Sequence, residues 1–164
     1  MIFITAGTTN HPFERMDKVV TKLASRFPNE NIVYQSKSTK FYSKKNLRIF
    51  KEIRYPKFKD YIKDTRVVIT HGGPATIFLV LKYCKSKPFV IPREKKLAEH
   101  VSDHQVYYAR FLAKKNFVKI ASGDKNVTNL IISYSKDPEP NMYKGNPHQF
   151  EDLLAKLDEW INNF

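Results

Sequence analysis

Apolar residues recur along this chain in two rhythms. Ile2-Phe3-Ile4, the stretch from Asn31 to Gln35, Val67-Val68-Ile69, Phe89-Val90-Ile91 and Phe117 to Ile120 are short, nearly continuous apolar runs. Such runs suit strands buried on both faces. Between them the spacing changes to three and four. Met16, Val19, Val20, Leu23 and Phe27 predict an amphipathic helix over 13–27, which Pro28-Asn29 ends. Further helices are predicted over 75–84, over 103–114 with Val106, Ala109, Arg110 and Ala113 on related faces, and over 126–134. A shorter one follows Tyr55-Pro56 through Phe58, Tyr61 and Ile62, and 47–53 reads as a weaker strand. The polar stretches 36–45 and 137–146, the latter with Pro138, Pro140 and Gly145, read as loops. Phe150, Leu153, Leu154, Leu157, Trp160, Ile161 and Phe164 predict a C-terminal amphipathic helix over 148–164, packed on its own sheet or against a partner. Strand and helix alternate throughout, so the expected fold is α/β: one Rossmann-like domain over 1–164, a parallel sheet flanked by helices.

Composition narrows the function classes. At 164 residues and 41% apolar, the chain suits one domain with a real core. No apolar run is long enough for a transmembrane helix, and MIFITAGTTN lacks the basic start of a signal peptide. A reducing cytoplasm is the expected compartment. The single Cys84 excludes an internal disulfide and a cysteine-based zinc site, and reads as a small apolar core residue. The net charge is +13. Residues 37–66 hold eleven Lys or Arg against Glu52, Asp60 and Asp64, a local charge of +8. That patch suits nucleic acid, an anionic membrane surface or an acidic partner, or is simply a solvated lysine-rich face. No zinc finger, RNP motif or helix-turn-helix accompanies it, so no specific nucleic-acid partner is expected.

The chemistry concentrates between Arg66 and Gln105. A strand runs into His71-Gly72-Gly73, and Pro74 follows where a helix tolerates a missing N–H. A glycine turn feeding a helix start leaves N–H groups and the positive dipole end free for a phosphate. The next strand ends at Pro92, and a charged loop leads to Glu99 and Asp103-His104-Gln105.

This order of residues, with Thr5-Ala6-Gly7-Thr8-Thr9 and Pro12-Phe13 ahead of it, resembles the nucleotide-sugar-binding half of GT-B glycosyltransferases. The likeness covers nearly the whole chain and is of the glycosyltransferase family 28 C-terminal-domain type. Small subunits of two-component transferases of bacterial exopolysaccharide and capsule are similar. The eukaryotic subunit that adds the second N-acetylglucosamine to dolichol-linked chitobiose is similar at greater distance. The resemblance implies a UDP-sugar donor. Gly7, Thr8, Thr9, His71, Gly72, Gly73, Ala75 and Thr76 would lie at its diphosphate, and Glu99, His100, Asp103, His104 and Gln105 at its sugar. His11 is a candidate general base or an exposed loop histidine. The related plant-type box places a ribose-binding Glu where Leu79 stands here. Either another group makes that contact, or nucleotide affinity stays low until a partner binds. No Asp-X-Asp motif is present, so no catalytic metal and no cofactor are expected.

A GT-B enzyme has two such domains, and the chain is long enough for one. The resemblance therefore implies a separate membrane-associated acceptor-binding subunit and an undecaprenyl-diphosphate-linked acceptor. The protein would sit peripherally at the inner face of the plasma membrane. Among donors, UDP-galactose and a β-1,4 linkage are favoured over UDP-glucuronate and UDP-N-acetylglucosamine. The rival readings are a non-catalytic enhancer of such a pair, which Leu79 supports, and a basic nucleic-acid-binding module.

Overall fold

The computed structural model describes residues 1–40, 43–121 and 126–143; the helix expected over 148–164 lies outside them. Six strands make one sheet: β1 (Ile2–Thr5), β2 (Ile32–Gln35), β3 (Leu47–Phe50), β4 (Val67–Thr70), β5 (Phe89–Val90) and β6 (Lys119–Ile120). Their spatial order is β3-β2-β1-β4-β5-β6, and every neighbouring pair is parallel. Five helices connect and flank them: α1 (Glu14–Arg26), α2 (Tyr55–Asp64), α3 (Pro74–Tyr83), α4 (His104–Lys114) and α5 (Val127–Lys136). This is the expected Rossmann-like α/β architecture.

The apolar runs follow from cover on both faces. Ile2, Ile4, Val67 and Ile69 pack with Met16, Val20 and Leu23 of α1 and Val127 and Ile131 of α5. The alternate residues Phe3, Val33 and Val68 pack with Ile62 of α2, Val80 of α3 and Cys84, which caps the end of α3. A third cluster joins Ile77 and Leu81 of α3, Val90, and Tyr108, Ala109 and Leu112 of α4. With no face left to water, the central strands have no reason to alternate polar with apolar. Cys84 is buried, donates from Sγ to the Ser86 carbonyl at 3.0 Å, and has its thiol pushed up to about 12 by that burial. It is a core residue, as its sequence position suggests.

Differences from the sequence expectation are local. The weak strand expected to reach Ile53 stops at Phe50, which leaves Glu52 and Ile53 beyond the sheet edge. The charged loop after β5 contains a 3-10 turn, Lys95–Leu97, closed by Ala98 in the left-handed region at φ 56°. No helix among the described residues is long and apolar enough to cross a membrane.

The topology fixes where a ligand goes. From β1 the chain steps outward to β2 and β3, then returns to β4 on the other side of β1. The loops leaving β1 and β4 therefore part from each other, and the crevice between them at the carboxyl ends of the strands is where doubly wound sheets bind ligands.

Candidate functional site

One wall of that crevice is the start of α3. Gly73 is the N-cap, Pro74 opens the helix, and no side chain caps the free N–H groups of the first turn. The partial positive charge there faces no internal acceptor of its own. The other wall is the β1–α1 loop, where Gly7 turns the chain at φ +79°. Between them stands His71, only 8% exposed. Its ring fills the space a side chain on either glycine would need: a Cβ on Gly7 would lie 2.7 Å, and one on Gly73 2.4 Å, from His71 Nε2. Burial, and then the nearby Arg93 guanidinium, pull the imidazole down to about 4, so it is neutral near pH 7. Gly7→Ala is expected to cost about 1–2 kcal/mol for the left-handed backbone and to push the His71 ring from its place. Urea unfolding together with the His71 ring resonances would show both.

Gln35 ties the β1–α1 loop to the segment that follows β3. Thr5 Oγ1 donates to its Oε1 at 2.6 Å, and its Nε2 donates to the carbonyls of Gly7 and Lys51, both at 3.0 Å. The resulting cleft has a volume of about 220 Å³ and is lined by Thr5, Gly7, Thr8, Gln35, Glu52, Ile53, Phe58, His71 and Thr76. Of the residues expected at a diphosphate, Gly7, Thr8, His71 and Thr76 line it. Thr9, Gly72 and Ala75 are their chain neighbours.

The second loop is organised by two arginines that sequence reasoning passed over. Arg93 is fully buried. It donates to the carbonyls of Ala6 at 2.8 Å, His11 at 3.0 Å, Pro12 at 3.3 Å and Glu99 at 3.1 Å, and lies 4.3 Å from the centre of the Phe13 ring. Arg15 grips the Glu99 carboxylate with both prongs, Nε to Oε1 at 2.9 Å and Nη2 to Oε2 at 2.6 Å, and reaches the Pro92 carbonyl at 2.8 Å. Glu99 is thus buried, with both oxygens engaged inside the fold. Asp103 Oδ1 accepts from the Lys95 N–H at 2.8 Å. Gln105 Oε1 accepts from the N–H groups of Gly72 at 3.0 Å and Arg93 at 3.2 Å, which leaves its amide nitrogen as the end that can meet a ligand. His100 and His104 both contact Ser102, and His104 is exposed. His11 is exposed as well, anchored by its backbone to Thr9 Oγ1 at 3.3 Å. Leu79 packs into the apolar cluster of Phe3, Ile62 and Val68 on α3's inner side.

The parallel order, the switch-point crevice and the uncapped helix start beside a positive-φ glycine define a Rossmann-like domain with an anion-suited corner at the carboxyl ends of its strands. A model of the glycosyltransferase family 28 C-terminal domain matches residues 1–156, and the chain belongs to that family. It is a GT-B-type glycosyltransferase domain. No curated protein matches the chain.

Proposed function

We propose that this domain binds a UDP-sugar at the switch-point crevice and serves as the donor half of an inverting, metal-independent glycosyltransferase. The carrying observation is the corner made by Gly7, His71 and the uncapped start of α3. The Ala75 and Thr76 N–H groups and the Thr76 hydroxyl suit the diphosphate oxygens. Ile53 and Phe58 offer an apolar wall for the base. The loop of His100, Asp103, His104 and Gln105 takes the sugar, while Glu99 and Arg93 hold that loop in place. Charge developing on the leaving UDP is met by fixed N–H dipoles of the helix start and a neutral His71 N–H, which act without reorganising. His11 is the general base on the acceptor hydroxyl in this reading.

The acceptor half comes from a membrane-associated partner subunit that presents an undecaprenyl-diphosphate-linked sugar for capsule or exopolysaccharide synthesis. UDP-galactose is the leading donor. The basic stretch supports contact with an anionic membrane surface: within it, Lys59 and Lys63 place their ammonium groups 5.2 and 5.4 Å from the centre of the Tyr83 ring.

Calorimetric titration of UDP and of a UDP-sugar panel, followed by transfer assays with the co-expressed partner, tests this. Saturable heat with UDP and partner-dependent transfer are expected. Leu79 favours the enhancer reading instead, and that reading stands if no UDP-sugar gives saturable heat.

A further inference from the structure

We infer that Glu52 holds the ribose diol of the nucleotide, in place of a carboxylate on α3; this rests on the donor reading above. A vicinal diol presents two O–H donors side by side, and a carboxylate is the side chain that accepts both. Helix α3 supplies no such group. Thr76 lines the cleft, but Leu79, one turn further on, is committed to the apolar cluster with Phe3 and Ile62.

Among the described residues lining the cleft, Glu52 is the one carboxylate. It lies there because β3 ends at Phe50, three residues short of Ile53, where its sequence pattern would carry it. Its side chain is 67% exposed and makes a long ion contact, 3.5 Å, to Lys37. An exposed pair of that length contributes little, so exchanging it for two hydroxyl donors costs little. The backbone beneath Glu52 is fixed all the same. Gln35 Nε2 donates to the carbonyls of Lys51 and Gly7, both at 3.0 Å, and the Ser36 N–H donates to the Phe50 carbonyl at 2.9 Å. One buried amide therefore sets the spacing between the turn that meets the diphosphate and the residue that meets the ribose. Preorganised spacing of this kind lowers the ordering cost of binding.

The test titrates the full chain with UDP and with 2′,3′-dideoxyuridine diphosphate, for the wild type and Glu52→Gln. The wild type is expected to bind UDP about tenfold more tightly than the dideoxy analogue, the loss that follows when a hydrogen bond to a charged group is removed. Glu52→Gln should weaken UDP by about the same factor and leave the analogue no weaker. The sign is informative. Glu52 repels an anionic ligand through space, so a purely electrostatic role predicts that both ligands bind the variant more tightly. Unchanged UDP affinity in Glu52→Gln, tighter binding of both ligands, or equal losses for both overturns the assignment. Lys37→Ala should keep the wild-type preference; if it abolishes that preference, the diol contact belongs to Lys37. Saturable UDP binding with no diol preference sinks this inference alone. No binding of UDP to the wild type removes the donor reading and this one with it.

Discussion

Replacing Arg93 with methionine is expected to lower stability by about 3–5 kcal/mol, the cost of leaving several buried carbonyls without their donor at about 1–3 kcal/mol each, partly relieved by local relaxation. The side chain is fully buried, and burial pulls its guanidinium down to about 10, with the Glu99 carboxylate the first group resisting that fall. The protein tolerates this because four carbonyls and an aromatic face surround the cation: those of Ala6, His11, Pro12 and Glu99, with the Phe13 ring 4.3 Å away. Methionine fills much of the volume but donates nothing, so those carbonyls lose their partner in a space closed to water. The loss is local in a second sense. Arg93 is the bond between the β1–α1 loop and the loop that leads into α4. Amide exchange should therefore quicken over 8–13 and 95–104 before the sheet opens. Arg93→Lys should recover only part of the stability, because a point charge cannot reach the Ala6 and Glu99 carbonyls together. Urea unfolding with unchanged slope measures the first effect. A methionine variant within about 1 kcal/mol of the wild type would mean that the network is a surface-grade interaction despite its burial.

Arg93 also marks where the sequence stops being readable. The strands and the helices were legible because they depend on local periods: two-sided burial produces continuous runs, and one-sided burial produces the 3.6-residue repeat of Met16, Val20 and Leu23. The turn from β4 into α3 was legible because Gly72, Gly73 and Pro74 are the residues a strand-to-helix turn needs. The charges were not. Whether Glu99 faces a ligand or the interior is decided by Arg15, 84 positions away, and no local pattern carries that information. The sequence reading placed Glu99 among the sugar contacts; the structure shows its carboxylate held by Arg15. Gln35 ends an apolar run and resembles a strand terminus, although its amide ties Gly7 to Lys51. Glu52 fell inside a weak alternation, and its place on the cleft rim follows only from where β3 ends.

Acid is expected to unfold the protein in part through His71. Its folded value lies near 4, while an unfolded histidine titrates at 6.5. The neutral ring is favoured by folding, so the unfolded chain binds the extra proton between those values. This contribution to stability is complete above about pH 6.5 and is lost as pH falls through the window down to about 4. A gap of about 2.5 pH units, at about 1.36 kcal/mol per unit, corresponds to about 3 kcal/mol. Carboxylates titrate over part of the same range, so the quantity to measure is the difference between the wild type and His71→Gln, which cannot gain the charge. Unfolding free energies taken from pH 7 to pH 4 should converge as acid removes the wild type's advantage, and the His71 ring should hold neutral-imidazole shifts at pH 5. A diphosphate seated at the start of α3 would oppose this effect. Its charge favours the imidazolium, so UDP should raise the His71 value and bind more tightly as pH drops from 7 toward 5. Parallel slopes for the wild type and His71→Gln would place the acid sensitivity elsewhere. A UDP affinity indifferent to pH would separate the histidine from the phosphate it is proposed to face.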